Sequence, residues 1–416
     1  MPLELISKLV EKNDTKLCLL VLDGLGGLPS GEDCVTELEA AATPNLDELA
    51  SMSEVGLLVP VMHGVTPGSG PGHLGLFGYD PLKYEIPRGA LEAAGAGFHQ
   101  QENDIAIRAN FCTVDETGKV LDRRAGRIAT EKSAPLCEKL EKNARVEGVE
   151  VFVRPVKDHR ALVVLRGDGL SNKVCDTDPQ ETGVKPLEPQ VTGDDPGSRR
   201  TAEVAKSFLA QAKEILAEER SANMLLLRGF SERPKLPQMG EVYKLKCAAV
   251  AQYPMYRGIA KLLGMDLLEA DSAKGARATS AGTGESFKDE FRTVAEARDE
   301  YDYFFVHIKP TDSAGEDGDF ERKVAKIEEV DGALPTLLEV GLDVLAVTGD
   351  HSTPAAYKAH SWHPVPALLH SEYCRQDKVT EFAERACRGG SLGMIESRYL
   401  MSLMLANARR LAKYGA

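Results

Sequence analysis

The chain has 416 residues but no apolar stretch approaching the ~20 residues of a membrane span. Met1 to Asp14 mixes acidic and basic residues and has no signal-peptide h-region, so no secretory leader is expected there. The eight cysteines include no C-x-x-C pair, which argues against a zinc finger, and Cys18 and Cys247 lie inside apolar runs. Free thiols in a reducing, cytoplasmic setting are the expectation. Repeats and low-complexity tracts are absent. A basic excess is missing too: the formal charge of −14 argues against a nucleic-acid partner. It does not exclude a small anionic substrate held by locally clustered arginines. Hydrophobic content of 43% and charged content of 27% fit an ordinary globular protein. The length suggests about two to three domains, and a homo-oligomer stays open.

What the chain does contain is three apolar runs that each lead to an aspartate. Leu17-Cys18-Leu19-Leu20-Val21-Leu22 precedes Asp23-Gly24. Phe304-Phe305-Val306-His307-Ile308 precedes Thr311-Asp312. Val344-Leu345-Ala346-Val347 precedes Gly349-Asp350-His351. Short apolar runs that end in Gly, Asp and Thr read as buried strands entering loops. In an open α/β sheet the C-terminal ends of parallel strands meet at one crevice, where ligands bind. The expected fold is therefore α/β, with a mostly parallel sheet flanked by helices. Thr43-Pro44 and Asp319 mark helix starts, the latter before the spaced apolar residues Phe320, Val324, Ile327 and Val330.

Between about Gly97 and Asn223 the pattern changes to alternating segments, among them Ile105 to Phe111, Val151 to Val153 and Arg160 to Arg166. These read as antiparallel strands. A smaller α+β cap domain, 98–223, is expected as an insertion into a domain formed by 1–97 and 224–416.

Asp23, Asp312, Asp350 and His351 all fall at strand ends, and the segment that closes with His360-Ser361-Trp362-His363-Pro364 adds two histidines. Carboxylate and imidazole suit a divalent metal, although aspartates also cap helices and turns. Ser69 lies in Pro67-Gly68-Ser69-Gly70-Pro71-Gly72, a stretch that reads as a loop too rich in Gly and Pro for a helix. It is neither a P-loop nor a G-x-S-x-G elbow. A nucleophile whose hydroxyl is activated by metal and an ordinary surface turn both fit it. Arg123, Arg124, Arg127, His159, Arg160, Arg228 and Arg257 are the candidate substrate-binding groups, because guanidinium forks suit phosphoryl oxygens. A solvated surface role is the plain alternative for any one of them.

Together these segments resemble the archaeal-type phosphoglycerate mutases that need no 2,3-bisphosphoglycerate, within the alkaline phosphatase superfamily. The resemblance rests on Leu22-Asp23-Gly24-Leu25-Gly26, Ala42-Thr43-Pro44-Asn45, Gly68-Ser69 with His73-Leu74, Gly78-Tyr79-Asp80-Pro81, and Asp122-Arg123-Arg124-Ala125-Gly126-Arg127. It continues through Thr311-Asp312 with Asp317-Gly318-Asp319 and Thr348-Gly349-Asp350-His351-Ser352-Thr353-Pro354. The resemblance implies two divalent ions (Mn, Mg, Zn or Co). Asp23, Ser69, Asp350 and His351 would surround one, and Asp312 and His360 would belong to the other. It also implies transfer of the phosphoryl group of 3-phosphoglycerate to Ser69 and its return to the 2-hydroxyl. One departure stands out: Glu316 occupies a position where the family usually has histidine, and His363 one where aspartate is expected. Either the ligand types have exchanged places, so that Asp312, Glu316, His360 and His363 all contribute to the second site, or Glu316 ligates there without His363, which is then a supporting or surface residue. A homoserine-kinase-like phosphotransferase or a metal-dependent phosphatase on the same scaffold is the alternative activity.

Overall fold

The computed structural model describes residues 3–271 and 283–415. The chain forms two compact units, 1–85 with 236–416 and 86–235.

The first unit is built on an eight-stranded sheet. Its order is Gly393–Glu396, Glu54–Val59, Val365–Ser371, Val344–Thr348, Leu17–Leu22, Tyr303–Ile308, Cys247–Ala251 and Asp266–Leu268. Val365–Ser371 runs antiparallel to both of its neighbours, and the other pairings are parallel. The three apolar runs that end on aspartates are adjacent central strands, with Leu22 beside Ile308 and Val21 beside Thr348. Every residue in them is buried, which is why they read as continuous apolar runs rather than alternating ones. Cys18, Leu20, Leu22, Phe304 and Val306 face a core shared with the helices Pro44–Ser51, Gly284–Ala297 and Phe320–Leu338. The last of these is capped by the Asp319 side chain, which accepts from the Arg322 N–H.

The second unit is antiparallel. Asp104–Val114 pairs with Val120–Asp122, Arg160–Arg166 and Met224–Ser231, and Arg160–Arg166 also pairs with Glu150–Pro155. The helices Thr130–Asn143 and Pro196–Ile215 cover one face through Leu136, Leu140, Phe208 and Leu209. This unit extends beyond 98–223 at both ends. Helix Arg88–Gly95 packs Ala93 against Ala106 and Leu162, and a Cβ at Gly89 would collide with the Ala106 carbonyl. Met224–Ser231 belongs here because it pairs with Asp104–Val114, so Arg228 is a mid-strand residue and not a strand terminus.

All eight cysteines are free thiols. Among the described residues no helix is long and apolar enough to cross a membrane.

Candidate active site

The central strands of the first unit deliver Asp23, Lys309, Asp350 and His351 to one edge, because parallel neighbours end together. Asp23, Asp350 and His351 form a convergent group of potential metal ligands, and all three are buried. His351 Nε2 lies 3.4 Å from Asp23 Oδ1 and 3.1 Å from Asp350 Oδ2. Among the described residues, neither of those carboxylate oxygens has a hydrogen-bond partner. Buried anionic oxygens are costly unless something positive completes them. The ring is oriented for ligation by Nε2, since Nδ1 lies 3.0 Å from the Thr353 hydroxyl. This donor set fits a divalent metal.

A second group joins Asp312, His351 and His360. His360 Nδ1 hydrogen-bonds the Pro67 carbonyl at 3.0 Å, which leaves Nε2 facing Asp312 Oδ1 at 3.6 Å and Glu316 Oε1 at 3.8 Å. The His351 and His360 rings stack with centroids 3.6 Å apart. Glu316 is thus at the rim of this group, with its side chain 54% exposed. His363 is outside both groups among the described residues: its Nδ1 meets the Ser361 hydroxyl at 3.0 Å and its ring stacks on Trp362.

Ser69 opens a helix, Ser69–Leu76, where the sequence reads as a loop. The difference has a physical cause. Pro71 falls in the first turn, where a missing N–H costs nothing because helix-start donors have no intrahelical acceptor. Gly72 permits contact with the segment that carries Asp350, since a Cβ there would collide with the Asp350 carbonyl oxygen. The helix start places Ser69 Oγ 3.4 Å from His351 Nε2. His73, one turn on, directs Nδ1 to the Ser69 carbonyl at 2.8 Å and lies 3.1 Å from Asp350 Oδ2.

The electrostatics follow from burial and close opposite charges. Burial pushes the Asp23 carboxyl up, but Lys309, His307 and His351 outweigh it and hold that group well below the usual range. Lys309 Nζ contacts Oδ2 of both Asp23 and Asp312, so its pKa is raised despite burial. Burial lowers His351, favouring the neutral imidazole that a metal requires. Burial, then Asp312, raises Glu316.

The second unit carries its own cation cluster. Arg108 faces Arg228 across paired strands, and burial together with Arg160, Arg228 and Arg88 pulls it down to about 10 although Glu92 opposes this at 3.1 Å. His159 is buried beside Arg160, Arg124 and Arg108 and is pushed down to about 4, chiefly by burial. Arg123 is differently employed: it forms a two-pronged pair with buried Asp178, at 2.8 Å on each oxygen. Arg228 also reaches Asp178, at 3.3 Å, and Asp176. Arg127 closes the turn Ala125–Arg127 with φ +52°. Arg257, in the first unit, pairs with Glu269.

Sequence reasoning missed His73, Tyr256, Lys309 and Arg108. An arginine between Ile107 and Ala109 in an apolar strand is the one readable signal among them. Tyr256 and His307 look like core aromatics in the sequence; only the fold brings them against Asp23.

Comparison with known proteins identifies the family. Residues 50–222 match the family described as 2,3-bisphosphoglycerate-independent phosphoglycerate mutase. A probable 2,3-bisphosphoglycerate-independent phosphoglycerate mutase of Aquifex aeolicus is 50% identical, with 100% of both chains covered. A solved structure from Pyrococcus horikoshii superposes with a TM-score of 0.82 at 29% identity, covering 97% of this chain and 100% of that one. The cofactor-independent phosphoglycerate mutase of Thermoplasma acidophilum gives 0.70 at 30% identity, covering 95% and 100%. With half of its residues shared along the full length of such a relative, the chain belongs to the 2,3-bisphosphoglycerate-independent phosphoglycerate mutases.

Proposed function

We propose that this enzyme interconverts 3-phosphoglycerate and 2-phosphoglycerate in central carbon metabolism, with Ser69 as the transient phosphoryl carrier. The observation that carries the reading is the approach of the Ser69 hydroxyl to His351, inside the group formed with Asp23 and Asp350. Two divalent ions are proposed, one held by Asp23, Ser69, Asp350 and His351, the other by Asp312, His360 and Glu316. Glu316 as an oxygen ligand favours Mn or Mg over Zn at the second position. Bound metal would supply positive charge that lowers the serine hydroxyl pKa and offsets charge on the transferred group.

The chain's own residues do the rest. Ser69, at a helix start, offers its oxygen to the phosphorus of 3-phosphoglycerate; the bond to the 3-oxygen breaks, and the proton that the serine hydroxyl gives up is balanced by the one the 3-oxygen takes on. Glycerate then presents its 2-hydroxyl, which takes the phosphoryl group back from Ser69. Retention of glycerate between the two transfers is what separates a mutase from a phosphatase. Arg108, Arg160 and Arg228, with Arg124 and His159, are proposed to bind the substrate's anionic groups, since clustered guanidinium groups match carboxylate and phosphate oxygens. The free thiols support a cytoplasmic location.

An enolase-coupled assay on purified protein tests the reading. With 3-phosphoglycerate, no 2,3-bisphosphoglycerate and added Mn, 2-phosphoglycerate is expected to form, and EDTA is expected to stop it. Release of inorganic phosphate without 2-phosphoglycerate would assign a phosphatase instead.

A further inference from the structure

We infer that Tyr256 is a positioning residue for Asp23: its hydroxyl selects which carboxylate oxygen is presented to a metal. The inference rests on the metal reading above and adds a residue to it.

Tyr256 lies in the first turn of helix Pro254–Leu262, which follows the strand Cys247–Ala251. It is fully buried. Its ring stacks on His307 with centroids 3.6 Å apart and an interplanar angle of 25°, and it lies 4.8 Å from the His73 ring. This packing fixes the direction of the hydroxyl, which donates to Asp23 Oδ2. Lys309 approaches the same oxygen, at 3.1 Å. Oδ1 of Asp23 has no hydrogen-bond partner among the described residues and faces His351. The two oxygens of one carboxylate are thus divided, Oδ2 to protein donors and Oδ1 to the ligand group. His307 Nε2, at 3.4 Å, is the most distant of the three protein groups on Oδ2. Removal of the Tyr256 hydroxyl leaves Oδ2 to Lys309, a longer and more mobile chain, and to the more distant His307. Asp23 could then turn, or offer both oxygens at once. Groups that orient a ligating carboxylate typically carry about 10–100-fold in metal affinity.

The test is Tyr256→Phe, which keeps the ring and its stack on His307. Co(II) is titrated into chelator-treated wild type and variant, followed by calorimetry and by the visible absorption of the bound ion. Melting in EDTA is measured in parallel. The expected result is one class of site weakened about 10–100-fold, with an altered absorption spectrum. Unchanged affinity and spectrum would overturn the inference. So would a weakening matched by the same loss of stability in EDTA, which would make Tyr256 a packing residue only. Wild type that binds no Co(II) would instead remove the metal reading itself.

Discussion

Ser69 Oγ lies 3.4 Å from Nε2 of His351, the imidazole shared by both groups of potential metal ligands. One side chain therefore faces the candidate nucleophile and both carboxylate clusters. Its other nitrogen is turned to the Thr353 hydroxyl, and Thr353 in turn donates to Asp312 Oδ1 at 2.7 Å. Ser69, the first group and the second group are thus joined through His351, Thr353 and Lys309.

Ser69→Ala is expected to lower turnover by about 10³-fold or more, because no other group replaces a lost nucleophile. Stability should change by no more than about 0.5 kcal/mol, since Ser69 is only half-buried and its side chain caps nothing. Turnover in the coupled assay and a urea melt check both parts.

Gly72→Ala tests the contact between the helix that Ser69 opens and the segment that carries Asp350. The added methyl meets the Asp350 carbonyl oxygen, which is backbone and cannot rotate away. Overpacking of this kind costs about 1–3 kcal/mol, and here it also moves Ser69 relative to His351. Turnover should fall together with the melting temperature. Gly70→Ala is the control, since nothing lies within 4 Å of a Cβ there.

Lys323 occupies a position that an amphipathic helix would fill with an apolar residue. It is fully buried, donates to the carbonyls of Gly26 at 3.1 Å and Thr353 at 2.9 Å, and lies 3.8 Å from Glu37. Lys323→Met is expected to destabilise by about 3–5 kcal/mol, because Glu37 keeps a buried charge without its partner. Adding Glu37→Gln should recover part of the loss, which a double-mutant cycle in urea would measure.

Glu290 gives a pH dependence. Its carboxyl is buried, one oxygen meets Gln252 and the other has no partner among the described residues, and burial raises it to about 8. The native state therefore holds a proton that the unfolded chain, near its ordinary value of 4.5, releases. Above the unfolded value the native state binds more protons, so stability falls as pH rises toward 8. Glu290→Gln, which keeps an acceptor for Gln252, should be more stable than wild type at pH 8. The difference should fade toward pH 4.5. Urea melts across that range decide it.

The part of the site that the sequence discloses is the part carried by strands. Asp23, Asp312 and Asp350 are legible because each ends or follows a run buried on both faces, and parallel strands end together. Loop composition misleads at Ser69–Leu76: Gly and Pro mark turns in general, but here they allow a helix to start against another backbone. The supporting residues are not legible. Tyr256 and His73 join the site through contacts between segments far apart in the chain, and the sequence alone gives Lys323 no reason to be buried. In the second unit, the sequence offers Arg123 as a candidate substrate ligand but not its pairing with Asp178, and it marks Arg108 only as a charge within an apolar strand. A guanidinium's role depends on which carboxylates already hold it, and that is tertiary information.

The central claim, a phosphoryl group carried by Ser69, is tested most directly by trapping it. Metal-loaded protein is mixed with 3-phosphoglycerate, quenched in acid during turnover, digested and analysed by peptide mass spectrometry. Phosphate on Ser69, absent without metal, is the predicted result. Steady formation of 2-phosphoglycerate with no phosphate at Ser69 at any quench time would contradict the account.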